Sequence, residues 1–579
     1  MSKTLFWYIF WNLLRVFTLT TGGLAVIMCL GGLLRPLTEN GLDLGQVNRM
    51  VLYMLPAMCT YSLPVSALFA STMVYGRFSA DNELTAMRAG GIGFISLRRF
   101  SIALPALVLG LLVAVISLLM LCFIVPIYTL KVEEVLYSNI AKVVASKIQK
   151  NHEVQFPDES SGRSLNIFAQ AASLPRPEAG DASQRVLLVG PAMINFDEPL
   201  PGGADIKVPR EFWMAKTATV SIERDPNPAA STSASLFVQL NDGIKFPRQF
   251  TGSVQAGVAA TTFGPIQIPS PITENVKFMD VGHLAELAGD PGRSEKVKVI
   301  VRSLILREQE RKYLNSIAGE INKSRDSNTP KMASYGFKLD DTGSDHITIG
   351  GANAAVGYSG SELVIDAPPV GDDARSVWLH QNHGSQETLS AKAKEIRIRA
   401  KPDPINLRMA VSIELYDTEL HTQDVTSERL SYPVALSVPM PAEIQQVASK
   451  SLDDYRHDPH VTPTDAFNLR HEQVVVNNAV RSELHGRASF AVSCLILVMV
   501  GCALGAMFKS GNFLTAFAAS FLPALLCITL IVCGQQIATH VPFDTNFHNP
   551  LSTSLWFIWA GNIVVLSAAI FLTGRLQRR

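Results

Sequence analysis

Hydrophobic positions gather in six stretches, about Val16–Leu34, Met50–Tyr75, Phe100–Ile127, Ala488–Phe508, Phe513–Ile537 and Leu551–Leu572. Each has the roughly 17 or more residues that a helix needs to cross a bilayer. Three lie before residue 130 and three after 487, so residues 131–487 form one inserted extramembrane region. From Lys131 to Gln149 apolar residues recur at helical spacing (Val132, Val135, Leu136, Ile140, Val143, Val144, Ile148), continuing the third stretch outward. The period then shortens. Leu165–Phe168, Val186–Val189, Phe212–Ile222 and Leu236–Leu240 read as strands, with Asn241-Asp242-Gly243 as a turn. A helical interval at Glu295–Lys323 interrupts them, and packing on the sheet is its default role. Strands return at His346–Ile349, Glu362–Ile365, Ile396–Ile398 and Met409–Leu415, and Ala442–Lys450 reads as a further helix. The stretch from Ala215-Lys216 to Asp242 lines up with that from Ala391-Lys392 to Asp417, which suggests a duplicated β module. Short strands at this spacing predict a sandwich or jellyroll. The fold class is therefore a polytopic α-helical membrane protein with six transmembrane helices and a large inserted all-β, jellyroll-like domain.

Gly76 to Gly93, between the second and third stretches, is too polar to cross a bilayer. It reads as a short helix, with Ser79 as cap, Asp81 and Glu83 at its positive end, Arg88 near its other end and Gly90-Gly91 as its stop. Leu84 and Met87 form a narrow apolar ridge. Such an element is either a helix at the inner membrane face that a partner grips, or an interfacial turn.

Charge orients the chain. With the amino terminus inside, the inner side receives Lys3, Arg15, Arg77, Arg88, Arg98, Arg99, Lys509, Arg575, Arg578 and Arg579, and the two short outer loops hold only Arg35 and Arg49. The positive-inside rule then puts both termini and the short helix inside and the β region outside. Trp7, Tyr8 and Trp11 suit an interfacial anchor, so the first stretch reads as an uncleaved signal anchor. Arg35 at the outer face meets a lipid phosphate or simply snorkels. The composition, 47% hydrophobic and 17% charged, fits a membrane protein, and the net charge of zero gives no reason to expect nucleic acid. All seven cysteines lie in the apolar stretches, so the outer region must stand on its own core.

No G-x-x-x-x-G-K-[ST] loop, G-x-S-x-G elbow or H-E-x-x-H pair occurs. The close histidine pairs His380/His383 and His457/His460 lack a clear third metal ligand, so neither a metal nor another cofactor is expected. The apolar stretches hold no Asp, Glu or Lys at mid-depth, which argues against an ion-driven carrier. These absences describe a non-enzymatic device that moves a hydrophobic cargo with energy from elsewhere.

The order of parts resembles the LptF/LptG family of lipopolysaccharide export permeases. The most specific likeness is Gly76-Arg77-Phe78-Ser79-Ala80-Asp81-Asn82-Glu83-Leu84-Thr85-Ala86-Met87-Arg88-Ala89-Gly90-Gly91-Ile92, similar to that family's coupling helix. Glu483 to Phe490, continuing to Ala503-Leu504-Gly505, resembles its approach to span four, and Asn549-Pro550 to Asn562 its last span. The usual Pro-Leu-Gly is here Ala503-Leu504-Gly505, and the arginine pair of the Glu-x-His-x-Arg approach is reduced to Arg487.

The resemblance implies half of an ABC transporter in the bacterial inner membrane, with both termini cytoplasmic and the β region periplasmic. A separate ATPase would dock on Arg77, Asp81, Glu83, Leu84, Met87 and Arg88, a second permease subunit would pair with the chain, and a periplasmic bridge protein would receive lipopolysaccharide or a related glycolipid. Arg35 and Arg49 become candidates for cargo contact, beside ordinary membrane lipids. The implied parts are residues 1–130 (spans one to three, coupling helix 77–92), 131–320 (β-jellyroll with its helical interval), 321–487 (an additional β-rich insertion and the return to the membrane) and 488–579 (spans four to six). The outer region is more than twice the family's usual length, and residues from about 321 to 470 are expected to have no family counterpart. Two other readings stay open: a membrane-anchored binding or assembly scaffold, and an ABC permease for another amphiphile such as a lipoprotein.

Overall fold

The computed structural model describes residues 3–40, 44–94, 101–137, 140–158, 163–175, 184–196, 209–224, 234–246, 258–268, 275–325, 333–339, 345–359, 362–369, 375–383, 386–403, 407–422, 425–446, 454–455, 458, 461–507, 513–540 and 550–578. Residues 1–298 with 467–579 form one compact unit, and 299–466 form the other.

In the first unit six helices are long and apolar enough to cross a membrane, and the protein is a multi-pass membrane protein. The first runs Lys3–Asn40, past the end expected at Leu34. The second runs Leu44–Ala80 and carries Pro56 and Pro64 inside it. The third is built from Leu104–Leu119, a π-helical turn at Met120–Ile124, and Val125–Tyr137. The fourth is one helix of 45 residues, Pro463–Met507. At 1.5 Å per residue it is about 68 Å long, roughly twice the hydrocarbon thickness, so much of it stands clear of the lipid. Phe513–Thr539 and Leu551–Arg578 complete the set. Ile9, Leu13, Ala67, Ala70, Ala106, Leu109, Val113, Cys494, Val498 and Cys502 form the inter-helix core. Leu111, Leu522, Ile563 and Phe571 are exposed, as side chains facing lipid must be. Glycines set the closest helix contacts. A Cβ on Gly505 would lie 2.5 Å from the Thr72 carbonyl oxygen and 2.9 Å from the Gly76 nitrogen, so span four presses directly on the backbone of span two.

The same unit contains the helix Ile140–Asn151 and an antiparallel sheet. Its strands are β1 (Glu153–Asp158), β2 (Arg163–Phe168), β3 (Ala171–Ser173), β4 (Gln184–Val189), β5 (Ala192–Phe196), β6 (Pro209–Arg224), β7 (Ala234–Phe246) and β8 (Val258–Ile268). They pair in the order β1-β2-β5-β6-β4-β3, and β7 and β8 continue from β6. The sheet curls, bringing β8 toward β1. Alternation decides what is buried: Val186, Leu188, Val220, Leu236 and Val238 point into a core that Val144, Ala145 and Ile148 of the helix close. Asn241-Asp242-Gly243 is not the turn its composition suggests. It lies inside β7, where Asp242 takes a left-handed φ of 54° and drops out of the β6 ladder between the Ala215–Gly243 and Thr217–Asn241 pairs. An aspartate tolerates that conformation, and the ladder resumes on either side of it with no change of register.

The second unit holds the other sheet, again antiparallel. Its strands are β9 (Ala333–Lys338), β10 (Asp345–Gly351), β11 (Ala355–Ser359), β12 (Glu362–Asp366), β13 (Val377–His383), β14 (Gln386–Ala393), β15 (Glu395–Asp403), β16 (Arg408–Thr422) and β17 (Val425–Pro439). The helical interval is the helix Glu295–Arg325, and its Tyr313, Leu314, Ile317 and Ile321 are buried on this sheet, as expected. They meet Ile347, Ile349, Leu363, Ile365, Leu379, Ile396, Ile398 and Ile413, all fully buried. The expected helix at Ala442–Lys450 is described only over Ala442–Gln445.

Candidate functional site

Two polar clusters sit along the fourth span, one at its end near Met507 and one at its middle. The first is the short helix, which is Glu83–Ala89 and therefore shorter than expected, because the second span continues to Ala80. Ser79 does not cap it. That serine lies in the last turn of span two, buried, and its hydroxyl donates to the Ala506 carbonyl at the end of span four. The break between the helices is made by Asn82 at a left-handed φ of 59°, and the short helix ends at Gly91 with φ 79°. The Gly90, Gly91 and Ile92 amides donate to the Ala86, Arg88 and Met87 carbonyls.

The predicted residues divide by face. Leu84 is buried, and Met87 packs on the same core as Phe78, Phe94, Ile102 and Leu576 of this chain. Arg88 also turns inward, donating to the Leu576 carbonyl at 3.1 Å and lying over the Phe94 ring. Asp81 is exposed and pairs with Arg77 at 3.5 Å, Glu83 is half-buried, and Thr85, Ala86 and Ala89 are exposed beside them. The short helix is thus bolted to the ends of spans two, four and six and leaves an acidic and small-residue face open. Arg98 and Arg99, and the Lys509–Asn512 turn, lie outside the described residues.

The second cluster lies 23 residues back along span four from Ala506 (506 − 483), about 35 Å at 1.5 Å per residue. Glu483 and Arg487, one helical turn apart, are 6% and 3% exposed. The Arg487 Nε donates to Glu483 Oε1 at 2.9 Å, and its Nη2 donates to the carbonyls of Lys277 at 3.1 Å and Met279 at 2.8 Å. Those carbonyls come from the Val276–Phe278 turn and its exit, beyond β8. The Gln535 amide of span five donates to the other Glu483 oxygen at 2.8 Å, and a Cβ on Gly486 would collide with that glutamine. The Trp559 indole of span six donates to His485, and Asn562 donates to the Ser489 carbonyl and hydroxyl, each at 2.8 Å. Burying an ion pair is tolerable only when its remaining donors and acceptors are met, as this packing largely does.

Of the expected cargo residues, Arg49 is exposed on the second helix, whereas the side chain of Arg35 lies outside the described residues. His380 meets the Ser390 hydroxyl across the strand pair, and His457 and His460 lie outside the described residues. The sequence marks Glu483 to Arg487 as an approach to span four and does not show its burial. The signal was present in the i, i+4 spacing of opposite charges on a helix.

Six apolar helices, one of them carrying a buried polar cluster, together with curled antiparallel sheets, define a multi-pass membrane protein with a β-rich part. A family profile described as lipopolysaccharide export system permease LptF/LptG matches residues 7–169 and 361–575, and the chain belongs to that family. It is a permease of the lipopolysaccharide export class. No curated protein matches the chain. The match corrects one expectation: it runs through 361–470 and leaves 170–360 unmatched, rather than leaving out 321–470. Strands of the two sheets alternate alike, so composition alone does not say which of them the family shares.

Proposed function

We propose that the chain is one permease half of an ABC transporter in the bacterial inner membrane that extracts lipopolysaccharide and passes it to a periplasmic bridge, driven by a separate cytoplasmic ATPase. Both termini and the short helix are cytoplasmic, and the sheets are periplasmic. Arg77, Asp81 and Glu83 meet the ATPase, while Leu84, Met87 and Arg88 hold the helix from behind. The observation that carries this reading is span four: the last turn of span two, from which the short helix leaves, is bonded to its end at Ala506, and the Glu483–Arg487 pair at its middle holds the chain segment that follows the first sheet. A displacement at the short helix is therefore delivered as a movement of the outer turn.

Energy must come from outside. Exposing acyl chains costs about 0.8 kcal/mol per CH₂, so extraction of a multi-acylated lipid needs nucleotide hydrolysis and an apolar receiving surface. The reading is tested with Glu83→Lys: the variant is expected to insert and to hydrolyse ATP with its partner while lipid release from vesicles stops, and normal release would sink the coupling assignment. Arg35→Glu and Arg49→Glu are expected to lower glycolipid crosslinking. Purification in mild detergent is expected to bring down an ATPase and a second permease. Soluble outer partners alone would favour a scaffold, and a bound lipoprotein another cargo.

A further inference from the structure

A cavity of about 440 Å³ lies wholly within the second unit, and its lining residues run from Leu304 to Asp465. That volume is within the roughly 300–1,000 Å³ of small-molecule sites. One wall is a face of the helix Glu295–Arg325, the second is Tyr358 at the end of β11, and the third is formed by residues between Tyr455 and Asp465, where the chain enters span four. The helix wall and Tyr358 fall within 170–360, the stretch the family profile leaves unmatched.

The floor is apolar, with Leu304, Leu314 and Tyr455 buried beneath the opening. Much of the charge around it is already spent. Arg307 donates to Asp465 at 2.6 Å, and Lys312 pairs with Glu308 at 3.6 Å. The groups that remain carry both signs. Among the described residues the side chains of Glu310 and Arg311 make no ion pair or hydrogen bond, although both line the cavity. The Asn315 Oδ1 accepts from the Tyr358 hydroxyl at 2.6 Å, which leaves the amide NH₂ of that asparagine for a ligand. The same bond fixes the Tyr358 ring, 51% exposed, at the rim. Burial holds the Glu310 carboxyl above the usual range, so it offers a donor as well as acceptors rather than a firm negative charge.

A carboxyl, a guanidinium and an amide above an aliphatic floor, beside a fixed aromatic face, suit a ligand with no dominant charge. Its polar groups must both donate and accept, and one side of it must be apolar. A sugar ring meets all three conditions, with hydroxyls around its edge and C–H groups on its face. We propose that this cavity is a saccharide-binding site, in which the ring stacks on Tyr358 and its hydroxyls bond to Glu310, Arg311 and Asn315. The same chemistry serves the sugar part of a glycolipid and a free oligosaccharide. The site stands apart from the coupling assignment, so lipid release by the Glu83→Lys variant is silent on it.

The test is calorimetric titration of the full chain, purified with its partners in detergent. The probes are the deacylated oligosaccharide of lipopolysaccharide, the free sugars chitobiose and maltotriose, and the dipeptide Ala-Ala as a zwitterion. The expected result is that at least one of the sugars binds once per chain and the dipeptide does not. Response to the lipopolysaccharide oligosaccharide alone assigns the site to a glycolipid, and response to the free sugars assigns it to saccharides at large. Loss of a hydrogen bond from a charged group should weaken binding about tenfold in Arg311→Gln. Tyr358→Ala should weaken it as clearly, Tyr358→Phe, which keeps the ring, far less, and Arg375→Gln, outside the cavity, not at all. Asn315→Ala replaces Tyr358→Ala should that variant lose its thermal transition. Silence from all three sugars, binding of the dipeptide in their place, or sugar binding that Arg311→Gln and Tyr358→Ala leave unchanged each overturns the proposal.

Discussion

Arg487 shows what a single buried charge demands. Its partners are one carboxylate and backbone carbonyls of the Val276–Met279 segment, so removing Glu483 leaves the guanidinium buried without its counter-charge. Breaking such a pair costs about 3–5 kcal/mol, whereas an exposed pair such as Arg77–Asp81 is worth about 0.2–1 kcal/mol. Glu483→Gln is therefore expected to lower the thermal midpoint in detergent sharply, Glu483→Gln with Arg487→Met less than either alone, and Asp81→Ala scarcely at all. A loss of transport in Asp81→Ala then reports a lost partner contact. In the second unit, burial holds the Glu310 carboxyl above the usual range, against the pull of Arg307 and Lys401. The folded state binds that proton more tightly than the unfolded chain, so this group's contribution is favourable in acid and is lost as pH rises through the raised value. Glu310→Gln is expected to be more stable than the parent at neutral pH, and the gap should close below the carboxylate range in pH-dependent thermal scans. Residue types and spacings were legible in the chain. Burial was not, because it depends on the turn at Val276–Phe278, some two hundred residues from Arg487, being folded against it.

Elements were read better than their ends. All six spans were visible because a bilayer imposes a length that few other structures require. The ends moved: Ser79 belongs to span two, and span four extends far beyond its apolar part. Capping chemistry at Ser79 is real in isolation, but a hydrogen bond to Ala506 outcompetes it. Asn82 sets the angle of the short helix, since its left-handed backbone costs a β-branched residue roughly 1–2 kcal/mol. Asn82→Gly is expected to retain coupling and Asn82→Val to lose it, read as lipid release per ATP hydrolysed. Gly505 fixes the next joint: Gly505→Ala drives a methyl into the backbone of span two, and reduced yield of folded protein is the expected outcome.

At the scale of the molecule, the second unit begins and ends at one place. Arg307 donates to Asp465 across a 2.6 Å bond, so the chain leaves and returns side by side. Replacing residues 308–464 by a short Gly-Ser linker is expected to leave six inserted spans, the first sheet and the Arg487 carbonyl grip intact, as judged by protease resistance of the remaining chain; loss of the first sheet's protection would show that the units fold as one. The sequence by itself determined that this protein crosses a membrane six times, carries a polar helix between spans two and three, and inserts a β-rich region between spans three and four, since periodicity and hydropathy are local properties. Tertiary structure alone decided that the β region is two antiparallel sheets and that span four is a single rod gripped at its middle and at one end. It also decided that the short helix turns Leu84, Met87 and Arg88 toward its own chain. These depend on which surfaces meet, and pairing between distant strands and burial of one helix by another leave no mark on the spacing of residues within either.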